Sequence, residues 1–243
     1  MKDFKNSGQK SIKLPALLAL LFSVIFVLTS CTGHTENTNN TGGQPDEPIT
    51  ICLDAGHGVG DVGAISPFKA EDGSEIYEKD INYAIVLLIA DDLRSRGFDV
   101  ILARAADGEE PTAGFDDDGK CGIVQRVKFA NRKGYGMYLS IHCNSFTDSS
   151  VSGTRLYYNK GNNGSSNKRL AEKLSGAIES GFGKAPIIKN EADLYAVTAT
   201  KMPACLIEVG FMTNEADLKN MLDPTWQKKF ASAVCDGVQS YLK

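Results

Sequence analysis

Hydrophobic and polar positions alternate along residues 49–243 in blocks that predict strands separated by helices. Short apolar runs rich in β-branched residues predict strands at Ile49–Leu53, Phe98–Leu102, Gly136–Ile141, Thr154–Tyr158 and Ala204–Ile207. Apolar residues at helical spacing predict helices over Asp80–Arg96, Ile123–Lys133 and Lys168–Phe182, and a last helix that opens at Asp223-Pro224. Because strands that are apolar throughout are typical of covered parallel sheets, we predict a single α/β domain with a mostly parallel central sheet flanked by helices on both faces.

The first thirty residues have a different pattern. Four lysines precede an almost wholly apolar stretch from Leu14 to Leu28, which has the length of a signal-peptide core and is short for a membrane-spanning helix. The residues Leu28-Thr29-Ser30-Cys31 resemble the lipobox of bacterial lipoproteins. That resemblance implies that residues 1–30 are a lipoprotein signal peptide and that Cys31 becomes lipidated. A plain signal peptide, or an anchor helix followed by a chance cysteine, is the alternative.

Residues 31–48 are polar, rich in Asn, Thr and Gly, and without hydrophobic periodicity. This composition predicts a flexible tether between the lipidated Cys31 and a folded domain at residues 49–243. Together with the lipobox, the tether predicts an exported bacterial lipoprotein. Its membrane contact is the lipidated cysteine, and the domain faces the cell wall or periplasm.

Composition then excludes several classes of protein. The 243 residues are 42% hydrophobic and 23% charged, which is ordinary for a globular chain. Six cysteines without a CxxC pair indicate neither a disulfide scaffold nor a zinc ribbon, and we expect free buried thiols at Cys52, Cys121, Cys143, Cys205 and Cys235. The net charge of −4, with no clustered basic face, argues against a nucleic-acid partner.

Three predicted strands end in ionisable residues, and this is where open parallel sheets carry function. The segments are LDAGHG at 53–58, SIHCNS at 140–145 and LIEVGF at 206–211. His57 and His142 are the two histidines of the predicted domain, since the third, His34, lies in the tether. Either histidine alone could be a hydrogen-bonded structural residue, but two at strand ends favour a shared metal ion.

A catalytic zinc keeps three protein ligands, commonly two histidines and one carboxylate, and leaves a position for water. The acidic segment before the first long helix offers four candidates for the third ligand: Glu71, Glu75, Glu78 and Asp80. Spacing does not choose between them. The alternative is a solvated acidic loop in which Asp80 is the helix N-cap.

The four motifs DAGHG, YEKDIN, SIHCNS and MPACLIEVGFMTN occur in this order, and together they resemble the zinc-dependent N-acetylmuramoyl-L-alanine amidases. These are cell-wall hydrolases with an α/β sheet flanked by helices. The resemblance runs from Ile49 to the last helix. It implies one Zn²⁺ ion held by His57, Glu78 and His142, with Glu208 as the catalytic carboxylate. Candidate substrate-binding residues are Asn144, Arg104 and Arg126.

The resemblance implies hydrolysis of the amide between N-acetylmuramic acid and L-alanine in peptidoglycan. A metal-activated water attacks, and Glu208 serves as general base and then acid. Other interpretations stay open: a non-catalytic peptidoglycan-binding lipoprotein, a zinc peptidase or deacetylase of similar geometry, or a buried ion pair of Glu208 with Arg104 or Arg126. The sequence does not indicate whether an activator protein is required. A literal G-x-G-x-x-G at residues 58–63 lacks the helix that a dinucleotide site requires directly after it.

Overall fold

The structure of the protein, a computed structural model, describes residues 49–58, 60–107, 109, 112–115 and 119–243. The predicted signal peptide, Cys31 and the tether lie outside these residues. Within the described part of the chain, no helix combines the length and the apolar character needed to cross a bilayer.

The core of the domain is a six-stranded sheet in the order β4-β1-β5-β8-β6-β7. Every neighbouring pair is parallel except β6 with β8. A separate two-stranded antiparallel hairpin, β2 with β3, precedes the first helix. The strands are β1 (Thr50–Ala55), β2 (Ile65–Lys69), β3 (Glu75–Tyr77), β4 (Asp99–Leu102), β5 (Met137–Asn144), β6 (Arg155–Tyr158), β7 (Ile187–Asn190) and β8 (Ala204–Phe211).

Helices cover both faces of this sheet, but unequally. They are α1 (Glu78–Ser95), α2 (Ile123–Lys133), α3 (Gly164–Phe182), α4 (Tyr195–Thr198), α5 (Glu215–Leu222) and α6 (Pro224–Leu242). On the face that we call the helix-rich face, α1, α3 and α6 bury strand residues such as Leu53, Leu139 and Ile207. On the opposite face, here the site face, α2 and the short α4 pack over alternate strand residues such as Tyr138 and Leu206. The predicted α/β domain with a mostly parallel, flanked sheet is confirmed.

Several boundaries differ from the sequence pattern for physical reasons. Helix α1 begins at Glu78, because Tyr77 ends the β2–β3 hairpin in extended conformation and is the N-cap. Asp80 therefore lies in the first turn, and its interpretation as the N-cap is wrong. The edge strand β7 and the antiparallel orientation of β6 were not predicted, since β7 is short and half polar. By contrast, Asp223 caps α6 as expected, accepting a hydrogen bond from the Trp226 amide.

The candidate polar residues lie at the carboxyl ends of the central strands β1, β5 and β8. Strands β5 and β8 continue beyond their apolar runs, so His142 and Glu208 still lie within the paired region as direct neighbours. Cys52, Cys143, Cys205 and Cys235 are free and buried, as expected, and Cys121 is buried as well. The strand-end segments singled out by the sequence therefore belong to β1, β5 and β8, three consecutive strands of the sheet.

Candidate metal centre

A tight turn after β1 brings the two histidines together. His57 adopts φ = 66°, a left-handed conformation that non-glycine residues seldom take. The preceding Gly56 has no room for a side chain, because a Cβ atom there would overlap the His142 ring. The imidazoles of His57 and His142 consequently lie edge to face, with ring centroids 4.9 Å apart.

Glu78 joins both histidines from the first turn of α1. Its Oε1 atom lies 3.1 Å from His57 Nε2 and 3.0 Å from His142 Nδ1. Its Oε2 atom accepts a 2.9 Å hydrogen bond from the Ala64 amide. Gly63 lets the loop pass this close, since a Cβ atom there would lie 2.6 Å from Glu78 Oε2 and its φ of 69° is left-handed. The hairpin that ends at Tyr77 thus sets both the start of α1 and the position of the carboxylate.

The donor atoms of His57, Glu78 and His142 all lie within 4.8 Å of one another. Within the described residues this is the one group of three or more His, Cys, Asp or Glu side chains so arranged. The other candidates for the third ligand are solvent-exposed, and Glu75 forms an ion pair with Lys69. Two imidazoles and one carboxylate are the donor set of a catalytic zinc site, so these residues fit the metal that the motifs imply.

Glu208 lies next to this group on the neighbouring strand. It is the register partner of His142 in the parallel β5–β8 pair, which places both side chains on the site face. Its Oε2 atom is inaccessible to solvent and has no hydrogen-bond partner among the described residues. Burial raises the pKa of Glu208 to about 7, although the nearby His142 opposes that rise. No ion pair with Arg104 or Arg126 forms within the described residues, so the structural alternative for Glu208 is wrong.

Asp61 is a functional candidate that the sequence reasoning missed. Its Oδ2 atom lies 2.8 Å from His57 Nδ1, and its Oδ1 atom accepts a hydrogen bond from the Gly63 amide. A carboxylate on one ring nitrogen fixes the imidazole and leaves the other nitrogen, here Nε2, directed at Glu78. The available signal was an acidic residue four positions after a candidate metal-binding histidine.

The charges of the cluster depend strongly on one another. Burial would lower the pKa of His57, but Glu78 and Asp61 together raise it to about 9. Burial would raise the pKa of Glu78, but hydrogen bonds from His142 and His57 hold it well below its usual range. Without a metal, the cluster therefore holds an imidazolium against a carboxylate. A divalent cation held by these residues would take the place of that proton, because metal ligation requires a neutral imidazole.

Both arginines that were predicted to bind substrate use their guanidinium groups in hydrogen bonds to other residues of the protein. Arg126 donates through Nε to Asp54 and through Nη1 to the Cys121 carbonyl at 2.6 Å. Arg104 donates to the backbone carbonyls of Gly56 and Lys79 at 3.2 and 3.3 Å.

Asn144 has a different environment from the two arginines. It is partly exposed at the end of β5, two residues beyond His142, and accepts a hydrogen bond from the Ser145 amide. A cavity of about 320 Å³ opens beside both histidines, lined by Arg126 and by apolar residues that include Leu194 and Leu206.

Comparison with known proteins agrees with this fold. Residues 51–240 match the family model described as N-acetylmuramoyl-L-alanine amidase. The chain is 31% identical to the germination-specific N-acetylmuramoyl-L-alanine amidase of Bacillus subtilis (strain 168), over 79% of this chain and 78% of that protein. It is 32% identical to the uncharacterized protein YqiI of the same strain, over 82% of this chain and 87% of that protein.

A solved structure gives the same result. The CwlD amidase from Clostridioides difficile, determined in complex with the GerS lipoprotein, superposes with a TM-score of 0.69 and 32% identity. The superposition covers 80% of this chain and 98% of that one. The chain therefore belongs to the N-acetylmuramoyl-L-alanine amidase family and is an enzyme of that class.

Proposed function

We propose that the protein hydrolyses the amide between N-acetylmuramic acid and L-alanine in peptidoglycan, with one zinc ion held by His57, Glu78 and His142. The observation that carries the proposal is the convergence of these three donor groups beside Glu208 Oε2, a buried oxygen without a described partner. Buried polar atoms are nearly always hydrogen-bonded, so a partnerless one at a donor cluster indicates a missing ligand or water.

The chemistry divides between the metal and the chain. When bound, zinc lowers the pKa of water and polarises a carbonyl group. Glu208 then accepts the proton of the attacking water and delivers it to the departing nitrogen. Water oxygen bonds to the carbonyl carbon and the carbon–nitrogen bond breaks, which leaves a muramoyl carboxylate and the free amino group of L-alanine. Asp61 holds His57 through Nδ1 and so keeps Nε2 available.

We assign different roles to the three remaining candidates. The guanidinium groups of Arg104 and Arg126 are buried and hydrogen-bonded inside the protein, so we propose that they position the His57 loop and Asp54. Asn144 is partly exposed on the strand that carries His142, and we propose it as a direct substrate contact.

The decisive experiment identifies the bond that is cleaved. Purified peptidoglycan is digested with the full chain, with and without a chelator, and new amino groups are identified by mass spectrometry. The proposal predicts free L-alanine amino termini that disappear with the chelator and return with added zinc. A new glucosamine amine would show a deacetylase, and a new terminus inside the stem peptide would show a peptidase; either product contradicts the proposal.

We also propose that Cys31 is lipidated and holds the enzyme outside the cytoplasm. The lipobox-like sequence and the polar tether support this, as does the extracytoplasmic action that cell-wall amidases require. Cys31→Ala is expected to remove the lipid mass and to shift the protein out of the membrane fraction. A mutant with wild-type mature mass and distribution would contradict the anchor.

A further inference from the structure

The site face of the sheet is only partly covered on the side of β6 and β7, where α4 reaches β6 and Tyr157 packs against the apolar cluster of that face. We call this region the open strip, defined by Arg155, Tyr157, Ile187 and Lys189. Alternate residues of β6 show the contrast: Leu156 and Tyr158 are buried on the helix-rich face, whereas Arg155 and Tyr157 are partly exposed. On β7, Ile187 is 50% exposed and Lys189 is exposed. The strip is therefore surface that a ligand can reach.

The open strip is continuous with the candidate metal centre. The strand registers pair His142 with Glu208, Glu208 with Arg155, and Arg155 with Ile187. Side chains of directly opposed residues share one face of a sheet, with Cβ atoms roughly 5 Å apart. One row of side chains therefore runs from His142 through Glu208 to Arg155.

Arg155 has an oriented guanidinium that forms no ion pair among the described residues, although its register neighbour Glu208 carries the nearest carboxyl group and the two charges act on each other. The group lies over the Phe211 ring at 4.6 Å, and Nη1 makes only long contacts of 3.5 and 3.4 Å to the carbonyls of Ser152 and Gly153. No carboxylate of the described residues lies within ion-pair distance of it. Arg126, in contrast, is paired with Asp54. A fixed, partly exposed arginine fork is suited to bind a carboxylate through two hydrogen bonds.

The substrate supplies carboxylates on one side only. In the proposed reaction the muramoyl carboxyl group is part of the scissile amide and the sugar is otherwise neutral, so anionic groups lie on the peptide. His142 and Arg155 are two strand spacings apart, roughly 10 Å. Two extended peptide residues span about 7 Å. An amide placed midway between His142 and Glu208 lies roughly 7 Å from Arg155. Two extended residues cover that distance, so the residue after L-alanine reaches Arg155.

We propose that Arg155 binds the free carboxylate of the stem-peptide residue that follows L-alanine, and that the enzyme consequently discriminates against peptides in which this group is a carboxamide. The inference rests on the proposed amidase function and adds a specificity residue to it. Because Arg155 acts on a group away from the scissile bond, its loss should appear mainly in KM.

The test uses two muramoyl tripeptides that differ only in this group, carboxylate or carboxamide, with the full zinc-loaded chain. We expect wild type to prefer the carboxylate by about 10-fold in kcat/KM, as a charge-assisted hydrogen bond allows. Arg155→Gln should bring the ratio close to one. Arg155→Lys should give an intermediate ratio, because it keeps the charge and loses the fork. Arg94→Gln, an exposed arginine on the helix-rich side, is the matched control and should keep the wild-type ratio.

Equal cleavage of both peptides by wild type would overturn the inference, and so would an Arg155→Gln variant that loses activity equally on both. Binding of the two peptides is measured in parallel by calorimetry, so the result does not depend on turnover. Carboxylate-dependent binding that is lost in Arg155→Gln, without cleavage by wild type, would support Arg155 and reject the amidase proposal. If Arg155→Gln unfolds, the Arg155→Lys variant provides the test. A carboxylate-to-carboxamide ratio of kcat/KM in Arg155→Lys equal to that of wild type would overturn the inference.

Discussion

Two polar clusters lie side by side at the ends of β1 and β5, and they differ in how completely their atoms are paired. In the first, Asp54 accepts hydrogen bonds from Arg126, from the Tyr138 hydroxyl at 2.7 Å and from Ser140 at 2.8 Å. In the second, two imidazoles converge on one oxygen of Glu78 while Glu208 Oε2 has no described partner. The first cluster is closed, and the second is arranged for a group that the chain itself does not supply.

This difference indicates that the two clusters on this sheet face have different roles: the first stabilises the fold, and the second carries out the reaction. Asp54 and Arg126 are almost completely buried, and a buried pair of charges tolerates no missing partner. The pair holds the carboxyl ends of the strands that lead to His57 and His142. The second cluster contains three side chains that can bind a cation, and Glu208 lies beside them as a possible base. The predictions below separate the two clusters, in order of decreasing effect.

His142→Ala should have the largest effect, because a tetrahedral site does not hold zinc tightly with two protein ligands. We expect stoichiometric zinc to be lost and amidase turnover to fall below detection, while the fold is kept. Zinc content by mass spectrometry and thermal unfolding of the same sample check this. Full zinc occupancy in this variant would remove His142 from the metal centre.

Arg126→Met should reduce stability more than it changes chemistry. It leaves Asp54 as an unpaired buried charge, which typically costs about 3–5 kcal/mol in the free energy of unfolding. Urea denaturation measures the loss, and the double variant Asp54→Asn with Arg126→Met should recover part of it. A loss below about 1 kcal/mol would show that the closed cluster does not support the fold.

The same pair predicts an acid sensitivity with a definite sign. Burial alone would raise the pKa of Asp54, but Arg126, Tyr138 and Ser140 outweigh it and hold that pKa below its usual value of 3.8. The stabilising contribution is therefore present above about pH 4 and is lost as the pH falls below it. The stability difference between wild type and Asp54→Asn should shrink in acid, and a difference that grows in acid would contradict this.

Asp61→Asn should have the smallest effect. The carboxylate orients His57, and loss of such a partner typically weakens metal binding about 10- to 100-fold. Competition with a zinc chelator measures the affinity independently of activity. Asp80→Asn is the control, because Asp80 is exposed in the first turn of α1 outside the cluster. Equal zinc affinity in Asp61→Asn and wild type would contradict the orienting role.

The fold and the two histidines could be predicted because apolar runs and strand-end residues are local features. The choice of Glu78 over Glu75 or Asp80 could not be made from the residues alone, since it depends on the unpredicted β2–β3 hairpin that starts α1. Asp61 was missed because its contact with the His57 imidazole depends on the left-handed backbone conformation at His57, which the sequence does not reveal. The open strip was equally hidden, because it follows from the antiparallel register of β6, a tertiary feature.

The central claim is that Glu208 is the base and not a metal ligand, and one paired measurement tests it most directly. Zinc content and turnover are measured on the same samples of Glu208→Gln and Glu78→Gln. We predict that Glu208→Gln folds, keeps about one zinc and loses at least about 10²-fold in turnover, whereas Glu78→Gln binds zinc weakly. Near-normal turnover in zinc-replete Glu208→Gln, or loss of its zinc together with its activity, would contradict the account.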